Sequence, residues 1–246
     1  MIKRNYYKIV RVFPDPSSYF YIKNETMNQV EFSVDYGWLS TVNLEYSFDK
    51  VNWKRFNSAY IYGVTGDSYI YLRNNSGTFC TSEYNSVLQL SFDCSLGGDI
   101  RTLFNYTDID SVTAIPPYGF YHPFNGNGGN IKDISNLSFR GITSIGNYGL
   151  SGAFSQGWVE ITKGVDLRDV TTLGERALEE LYAYNSNLKE AYAPNVSTWD
   201  TSKTQYWLSS VAPTGVLYKP STLDIPTDYN GSGIPSGWTT QDYPVQ

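Results

Sequence analysis

Cysteine and histidine are nearly absent from this chain, whose 246 residues include two cysteines and one histidine. A structural zinc site needs four such ligands, and no second cysteine pair or histidine cluster is present. Cys80 and Cys94 form one disulfide if they face each other, but the pattern favours a pair of buried free thiols at least as much. His122 stands alone in a loop-like Tyr-His-Pro sequence, and neither cysteine lies in a nucleophile motif. We therefore expect no enzyme activity and no cofactor.

Charged residues are also scarce, at 17% of the chain, and the formal net charge is −6 with an isoelectric point near 4.8. This acidity, without a Lys/Arg stripe, argues against nucleic acid or an anionic membrane as a partner. No apolar run approaches the roughly 20 residues of a spanning helix. The basic start of the chain lacks the apolar core of a secretory signal, so we expect no membrane insertion.

Carboxylates recur beside the repeated strands described below, at Asp108, Asp110, Asp166 and Asp169. Pairs of them in neighbouring units would suit Ca²⁺ or, less plausibly, a glycosidase dyad. The alternation of oxygen ligands seen in an EF-hand loop is missing, which favours solvated turn residues in repeated positions.

Aromatic residues, by contrast, are abundant, at 16% of the chain with 22 tyrosines. From residue 19 to 94, apolar and polar residues alternate in short runs separated by Asn, Gly, Ser and Asp. This pattern predicts a mainly β chain with a small antiparallel β-sandwich-like domain over residues 14–98. Residues 1–13 form a strand-like arm before two prolines, and this arm is either an edge strand of its own domain or an attachment arm that inserts into a partner. Its apolar positions are Tyr7, Ile9, Val10 and Val12.

The second half of the chain repeats one pattern four times, at Val112–Ile115, Ile142–Ile145, Val170–Leu173 and Val196–Trp199. Subtracting the starting positions gives spacings of 30, 28 and 26 residues. A small-then-large pair follows three of the copies, at residues 119–120, 149–150 and 177–178. Such units cannot bury their apolar face alone, so the period predicts a stacked solenoid over residues 99–210.

Several details of this second half are predicted with the solenoid. Gly97 and Gly98 are expected to be a flexible boundary, and residues 122–130 a loop that projects outwards. Leu178, Leu181 and Tyr182 have helical spacing, which predicts one helix from Leu173 to Tyr184. Residues 211–246 are expected to be a C-terminal cap with a short strand near residues 216–218.

Two of these copies, Ile142–Leu150 and Val170–Leu178, resemble the V-x-x-I-G-x-x-A-F core of BspA-like leucine-rich repeats. Residues 215–220 and 233–238 are similar to the closing cap of that family, so the resemblance covers roughly residues 100–246. The run of residues 44–53 more weakly resembles a β module that often precedes such repeats. The resemblance implies a surface for interaction and no chemistry.

These observations together favour a non-enzymatic structural or adhesive protein of a bacteriophage particle, from a phage of gut bacteria. The N-terminal half would attach to the virion, and the repeat half would present a protein- or glycan-binding face. The expected partners are other virion proteins or a second copy of the chain, and a host surface protein or glycan. The alternatives are a BspA-like adhesin on a bacterial cell surface and a glycan-active enzyme. The candidate binding residues, which would otherwise fill the core, are Tyr182, Tyr184, Tyr192 and Tyr206.

Overall fold

A computed structural model describes residues 19–34, 42–56, 60–82, 87–126, 130–155, 159–227 and 230–244. The predicted mainly β fold is confirmed, because the described residues contain strands, turns and two short 3-10 helices but no α-helix. No helix in these ranges has the length and apolar character needed to cross a membrane. The predicted arm, with Tyr7, Ile9, Val10 and Val12, lies outside the described residues.

The strands are short and form four sheets in the described ranges. The 3-10 helices are Ile100–Leu103 and Ile109–Ser111. In chain order the strands are β1 Phe20–Asn24, β2 Val30–Val34, β3 Glu45–Ser47, β4 Lys54–Arg55, β5 Tyr60–Val64, β6 Tyr69–Arg73, β7 Leu88–Leu90, β8 Cys94–Asp99, β9 Ala114–Ile115, β10 Phe124–Gly126, β11 Ile131–Ser138, β12 Ser144–Ile145, β13 Thr172–Leu173, β14 Glu190–Tyr192, β15 Gly215–Tyr218 and β16 Trp238–Gln241.

The first half of the chain, together with β10 and β11 of the second half, builds two sheets with the orders β11-β8-β1-β6-β3-β4 and β10-β7-β2-β5. β1 lies between β6 and β8 and is antiparallel to both. Its residues Phe20 and Ile22 are fully buried and pair with the equally buried Leu72 and Ile70. Tyr21 between them is only 5% exposed, because its ring packs against Tyr69 and Tyr71. Both faces of β1 are therefore covered, and its burial is not the simple alternation of a half-buried strand. Buried residues of both sheets belong to one hydrophobic core.

Gly97 and Gly98 are not a flexible boundary, because both lie inside β8. That strand pairs with β1 on one side and, in parallel, with β11 on the other. A Cβ on Gly97 would fall 2.2 Å from the Tyr21 hydroxyl, and one on Gly98 would fall 1.7 Å from the Tyr19 carbonyl oxygen. Gly98 must be glycine, because its φ is +81° and its neighbour is backbone, whereas a side chain at Gly97 would displace the Tyr21 ring. The hydrophobic core continues across this point into the second half of the chain.

In the second half, strands from successive sequence copies lie side by side. β9, β12 and β13 pair in parallel, with Ile115 opposite Ile145 and Ile145 opposite Leu173. These partners are the ones that the sequence alignment predicts for the first three copies. The fourth copy, Val196–Trp199, is not a strand in the described structure. A further parallel sheet, β14-β15-β16, runs along the C-terminal units, with Ala191 opposite Leu217.

The predicted helix from Leu173 to Tyr184 is wrong. After β13 the chain forms a ribbon of consecutive turns in which Arg176, Glu180 and Tyr184 have φ of +49°, +52° and +65°. A left-handed residue at every fourth position excludes an α-helix, whose residues all have negative φ. The ribbon buries residues at about the same three- and four-residue spacing as a helix, and this similarity of period explains the error.

Residues 122–130 were predicted to loop outwards, and the structure corrects the first part of that prediction. Phe124–Gly126 forms β10, which pairs in parallel with β7, and the Phe124 side chain is buried. Its ring contacts Phe120 and Phe154 with centroids 5.7 and 6.3 Å away. A large aromatic side chain therefore holds the segment against the core.

Both cysteines are free and buried. Burial raises the pKa of the Cys80 thiol and of the Cys94 thiol well above the ordinary cysteine value. A thiol with a raised pKa carries little thiolate at neutral pH, so the structure gives these residues packing roles.

The C-terminal segment closes the second half of the chain. The predicted strand near residues 216–218 is present as β15. Trp199 Nε1 donates a hydrogen bond to the Ser232 carbonyl at 2.9 Å, and Trp238 Nε1 donates to the Ala212 carbonyl at 2.7 Å. The Trp199 bond therefore ties the last repeat to the tail, and the Trp238 bond holds the end of the tail against its beginning.

Candidate functional site

The turns that follow the strands of successive units form one continuous surface, which we call the turn face. It is the solvent-facing side of residues 116–122, 146–155, 174–185 and 203–209, whose inner side lies in the core. Alternate backbone N–H groups donate to the next unit, as Leu150 does to the Ala177 carbonyl at 2.9 Å. The residues between them close their own turns, as Ser151 does to the Tyr148 carbonyl at 3.2 Å. Because nearly every backbone group has a partner, the turns are held in register as firmly as strands are.

Left-handed residues stack in columns on the turn face. The clearest column has φ between +38° and +61° and consists of His122, Gly152, Glu180 and Tyr206, and it continues beyond the turn face to Asn230 in the C-terminal cap. Subtraction of these positions gives spacings of 30, 28, 26 and 24, so each unit is two residues shorter than the one before. Backbone in this region is costly for residues other than glycine and persists only where surrounding bonds impose it. Here the bonds between units impose it.

The first three turns of the turn face carry a row of stacked side chains, which we call the aromatic ladder. The rings of Tyr118 and Tyr148 lie parallel, with centroids 5.0 Å apart and planes 5° apart. The Arg176 guanidinium lies 5.8 Å from the Tyr148 ring, in the corresponding position of the next unit. Tyr121 packs edge-on against both tyrosines. The ring faces therefore pack against one another and against Arg176. The side chains are half-buried, so part of each ring remains at the surface.

The turn face carries three glutamates, at positions 175, 179 and 180, against Arg176 and Lys203, which gives it a formal charge of −1. Arg176 Nη1 lies 3.2 Å from a Glu179 carboxylate oxygen. Partial burial raises the pKa of Glu179, and the Arg176 charge opposes that shift. Burial lowers the pKa of His122, with the Glu180 carboxylate acting in the opposite direction. At neutral pH His122 is therefore uncharged.

The four tyrosines predicted to bind do not form one site. Tyr184 and Tyr206 lie on the turn face with 60% and 46% of their surface exposed. Tyr182 is fully buried, and its hydroxyl accepts a hydrogen bond from the Val165 N–H at 2.9 Å. Tyr192 is also buried, with its ring stacked on Tyr218. Two of the four side chains are thus core residues, because they lie on the inner side of the turn ribbon and of β14.

Three members of the turn face were not among the predicted binding residues: Tyr118, Tyr148 and Arg176. Each stands directly before the small-then-large pair that repeats at residues 119–120, 149–150 and 177–178. The signal was therefore in the sequence, since a residue in a fixed position of every repeat lies in a column on the same face. Composition alone pointed to the C-terminal tyrosines.

Three of the four recurring carboxylates, those of Asp110, Asp166 and Asp169, have local partners. Asp166 pairs with Arg168 at 2.8 Å, and Asp110 lies 3.6 Å from Arg101. An Asp169 oxygen accepts from the Gly141 N–H at 3.0 Å. Among the residues that the structure describes, no three His, Cys, Asp or Glu side chains are close enough together to hold a metal ion.

A second group of aromatic side chains lies on the outer side of the first sheet. There the Arg73 guanidinium lies 4.0 Å from the Trp53 ring and 4.1 Å from the Tyr106 ring, and it pairs with Glu45. All faces of this guanidinium are therefore in use inside the protein. The arrangement stabilises the sheet and leaves fewer unpaired polar and aromatic groups for a ligand than the turn face does.

No family model, no curated protein and no solved structure matches this chain. The candidate site is accordingly defined by the geometry of the turn face.

Proposed function

We propose that this chain is a non-enzymatic adhesive protein and that the turn face is its recognition surface. The observation that carries the proposal is the in-register stacking of turns, which places the Tyr118 ring on the Tyr148 ring and Arg176 next to Tyr148. The exposed Tyr184 and Tyr206 lie on the same stack of turns, in other columns. Tyrosine rings offer apolar area and a polar hydroxyl at a small cost in conformational entropy. Such a row suits a glycan chain or a protein surface.

The stacked units support a short solenoid of the BspA-like leucine-rich-repeat type as the architecture behind this face. The parallel register of β9, β12 and β13 and the bonds between successive turns support it. A solenoid presents the same shallow surface once per unit, so several weak contacts add up along one ligand.

The setting that we favour is a bacteriophage particle, with the first half of the chain attached to the virion and the turn face directed at the host. A bacterial cell-surface adhesin is the alternative. Mass spectrometry of purified particles and of outer-membrane fractions from the source culture separates the two. The phage setting predicts this chain in particles at a fixed ratio to the capsid protein, and its presence in the envelope fraction alone would refute that setting.

Recognition by the turn face is tested on a glycan array with the purified chain and two variants. Tyr184→Ala combined with Tyr206→Ala removes the two most exposed rings of the face and should weaken binding about tenfold or more. Phe48→Ala is the matched control, because Phe48 is 45% exposed in the loop between β3 and β4. The proposal fails for glycans if the parent binds none of them, or if the double variant and Phe48→Ala bind equally well.

A further inference from the structure

One short motif occurs three times in neighbouring units of the stack, at the end of β8, at the end of β11 and in the segment just before β13. Its first residue bonds to the backbone two positions later, and an arginine occupies that later position. The three copies are Asp99-Ile-Arg101, Ser138-Phe-Arg140 and Asp166-Leu-Arg168. Ser138 is the direct register partner of Asp99 across β8 and β11. Asp166 follows Ser138 by 28 residues, the same offset that places β13 beside β12.

The backbone turn is the same in all three copies. The Arg101 N–H donates to Asp99 Oδ1 at 3.0 Å, and the Arg168 N–H donates to Asp166 Oδ1 at 3.1 Å. In the middle copy the Arg140 N–H donates to the Ser138 hydroxyl oxygen at 3.3 Å. Serine therefore replaces the carboxylate as the acceptor of the turn without changing the turn.

The guanidinium groups differ, however. Arg101 donates from Nε and Nη2 to the Asp99 carboxylate at 3.1 and 2.7 Å. Arg168 donates from Nε to both oxygens of Asp166, at 3.0 and 2.8 Å. Arg140 is exposed, and its guanidinium makes no ion pair with any described residue. The middle unit thus has the arginine fork of its neighbours but lacks the carboxylate that fills it.

A groove of about 280 Å³ opens beside this unfilled fork. It is lined by polar groups of Ser138, Arg140, Asp166, Arg168 and Asp169 above the buried Leu137 and Phe139. Its volume is just below the roughly 300 Å³ at which small-molecule sites begin, so it suits one small ring. The formal charges of its two arginines and two aspartates cancel, which disfavours a multiply charged anion such as phosphate.

We propose that this groove binds one carboxylate-bearing sugar unit, a uronic acid, with its carboxylate on the Arg140 fork. A carboxylate takes two parallel hydrogen bonds from a guanidinium, as the Asp residues of the flanking units do. The Ser138 hydroxyl then donates a hydrogen bond to a hydroxyl oxygen of the sugar, and the Asp169 carboxylate accepts hydrogen bonds from sugar hydroxyl groups. The site is separate from the turn face and does not depend on the function proposed for it.

The test is a titration of the full chain with sodium glucuronate, followed by amide chemical shifts. Glucose serves as the ligand without a carboxylate. Ser138→Asp is the decisive variant, because it supplies the carboxylate that the flanking units already have and fills the fork without removing Arg140. We expect saturable shifts in residues 137–141 and 166–169. Affinity should fall about tenfold or more in Ser138→Asp and in Arg140→Gln, as loss of a charge-assisted hydrogen bond implies.

Lys189→Gln is the matched control, because it removes one exposed positive charge elsewhere and should leave the affinity for glucuronate unchanged. N-acetylglycine, which carries a single carboxylate as glucuronate does, tests whether the site reads a sugar or any carboxylate. The proposal is overturned if glucuronate gives no saturable shifts, if Ser138→Asp binds it as well as the parent does, or if glucose or N-acetylglycine binds equally tightly.

Discussion

Individual tyrosines in this chain have opposite roles although their sequence contexts look alike. Tyr182 and Tyr184 are separated by one residue, yet one is fully buried and the other is 60% exposed. The buried hydroxyl satisfies the Val165 N–H and lies where a Cβ on Gly164 would come within 2.7 Å of it. Burial also raises the pKa of Tyr182, so the hydroxyl stays protonated at neutral pH.

Removing that hydroxyl should therefore destabilise the fold. Tyr182→Phe leaves the buried Val165 N–H without an acceptor, and we expect a loss of about 1–3 kcal/mol in the free energy of unfolding. Tyr184→Phe is the control and should change it by less than about 0.5 kcal/mol. Urea denaturation of the two variants measures both values. Equal stability of the two would place Tyr182 outside the core.

His122 should make the stability depend on pH. Its ordinary pKa is 6.5, and burial lowers the pKa in the folded state. Below pH 6.5 the unfolded chain binds the proton more readily than the folded chain, so stability is lost as the pH falls towards the lowered pKa.

This contribution is isolated by comparison with His122→Asn, because asparagine tolerates the left-handed backbone at this position. Denaturation at a series of pH values between 7 and 5 should show a steeper loss of stability in the parent than in the variant. Parallel curves would mean that His122 titrates normally in the folded state.

At the scale of elements, the strands were predictable and the turn ribbon was not. The alternation of Val30, Phe32 and Val34 with polar residues indicates β2 directly, because burial of one sheet face imposes period 2. The repeat spacing likewise gives the register between Ile115, Ile145 and Leu173. The turn ribbon is held by hydrogen bonds to neighbouring units, between residues far apart in the sequence. Its buried residues recur at the same three- and four-residue spacing as those of an amphipathic helix, so the local sequence does not distinguish the two.

The same limit applies to the candidate site. The exposed tyrosines Tyr184 and Tyr206 were found from composition, and the burial of Tyr182 and Tyr192 was not. Which side of a ribbon a residue occupies depends on the backbone dihedrals of that ribbon. Because Glu180 has a positive φ, the side chains on either side of it point in directions that an α-helix would not give.

Glycine substitution distinguishes the turn ribbon from a helix. At Glu180, where φ is +52°, Glu180→Gly relieves a strained conformation and should leave the free energy of unfolding equal or raise it by up to about 1 kcal/mol. At Glu175, where φ is not positive, Glu175→Gly should lower it by about 0.5–1 kcal/mol. Thermal denaturation of both variants distinguishes the ribbon from a helix, because either glycine would destabilise a helix.

At the scale of the whole molecule, one hydrophobic core extends from Phe20 in β1 to Trp238 in β16. β8 joins the halves, because it pairs with β1 of the first sheet and with β11 of the stacked part. Two halves that share a strand and a core are expected to unfold together.

A charge placed in the stacked part should therefore unfold both halves. Val170 is fully buried, and Val170→Asp should cost more than about 4 kcal/mol because the carboxylate would have no partner. Thr172→Asp is the control, since Thr172 is exposed in β13 two residues away. Tryptophan fluorescence and amide exchange in β1 should both report the loss in Val170→Asp. Retention of a folded first sheet in that variant would show two independent units.

The stack of turns underlies the account of both fold and function, and its hydrogen bonds can be measured directly. Scalar couplings across hydrogen bonds, recorded by NMR on the labelled chain, identify the acceptor of each amide. We predict a coupling between the Leu178 amide nitrogen and the Lys203 carbonyl carbon, because that N–H donates to the next unit at 2.9 Å. A coupling from Leu178 to the Gly174 carbonyl would instead indicate a helix, and it would contradict the turn face and the recognition function proposed for it.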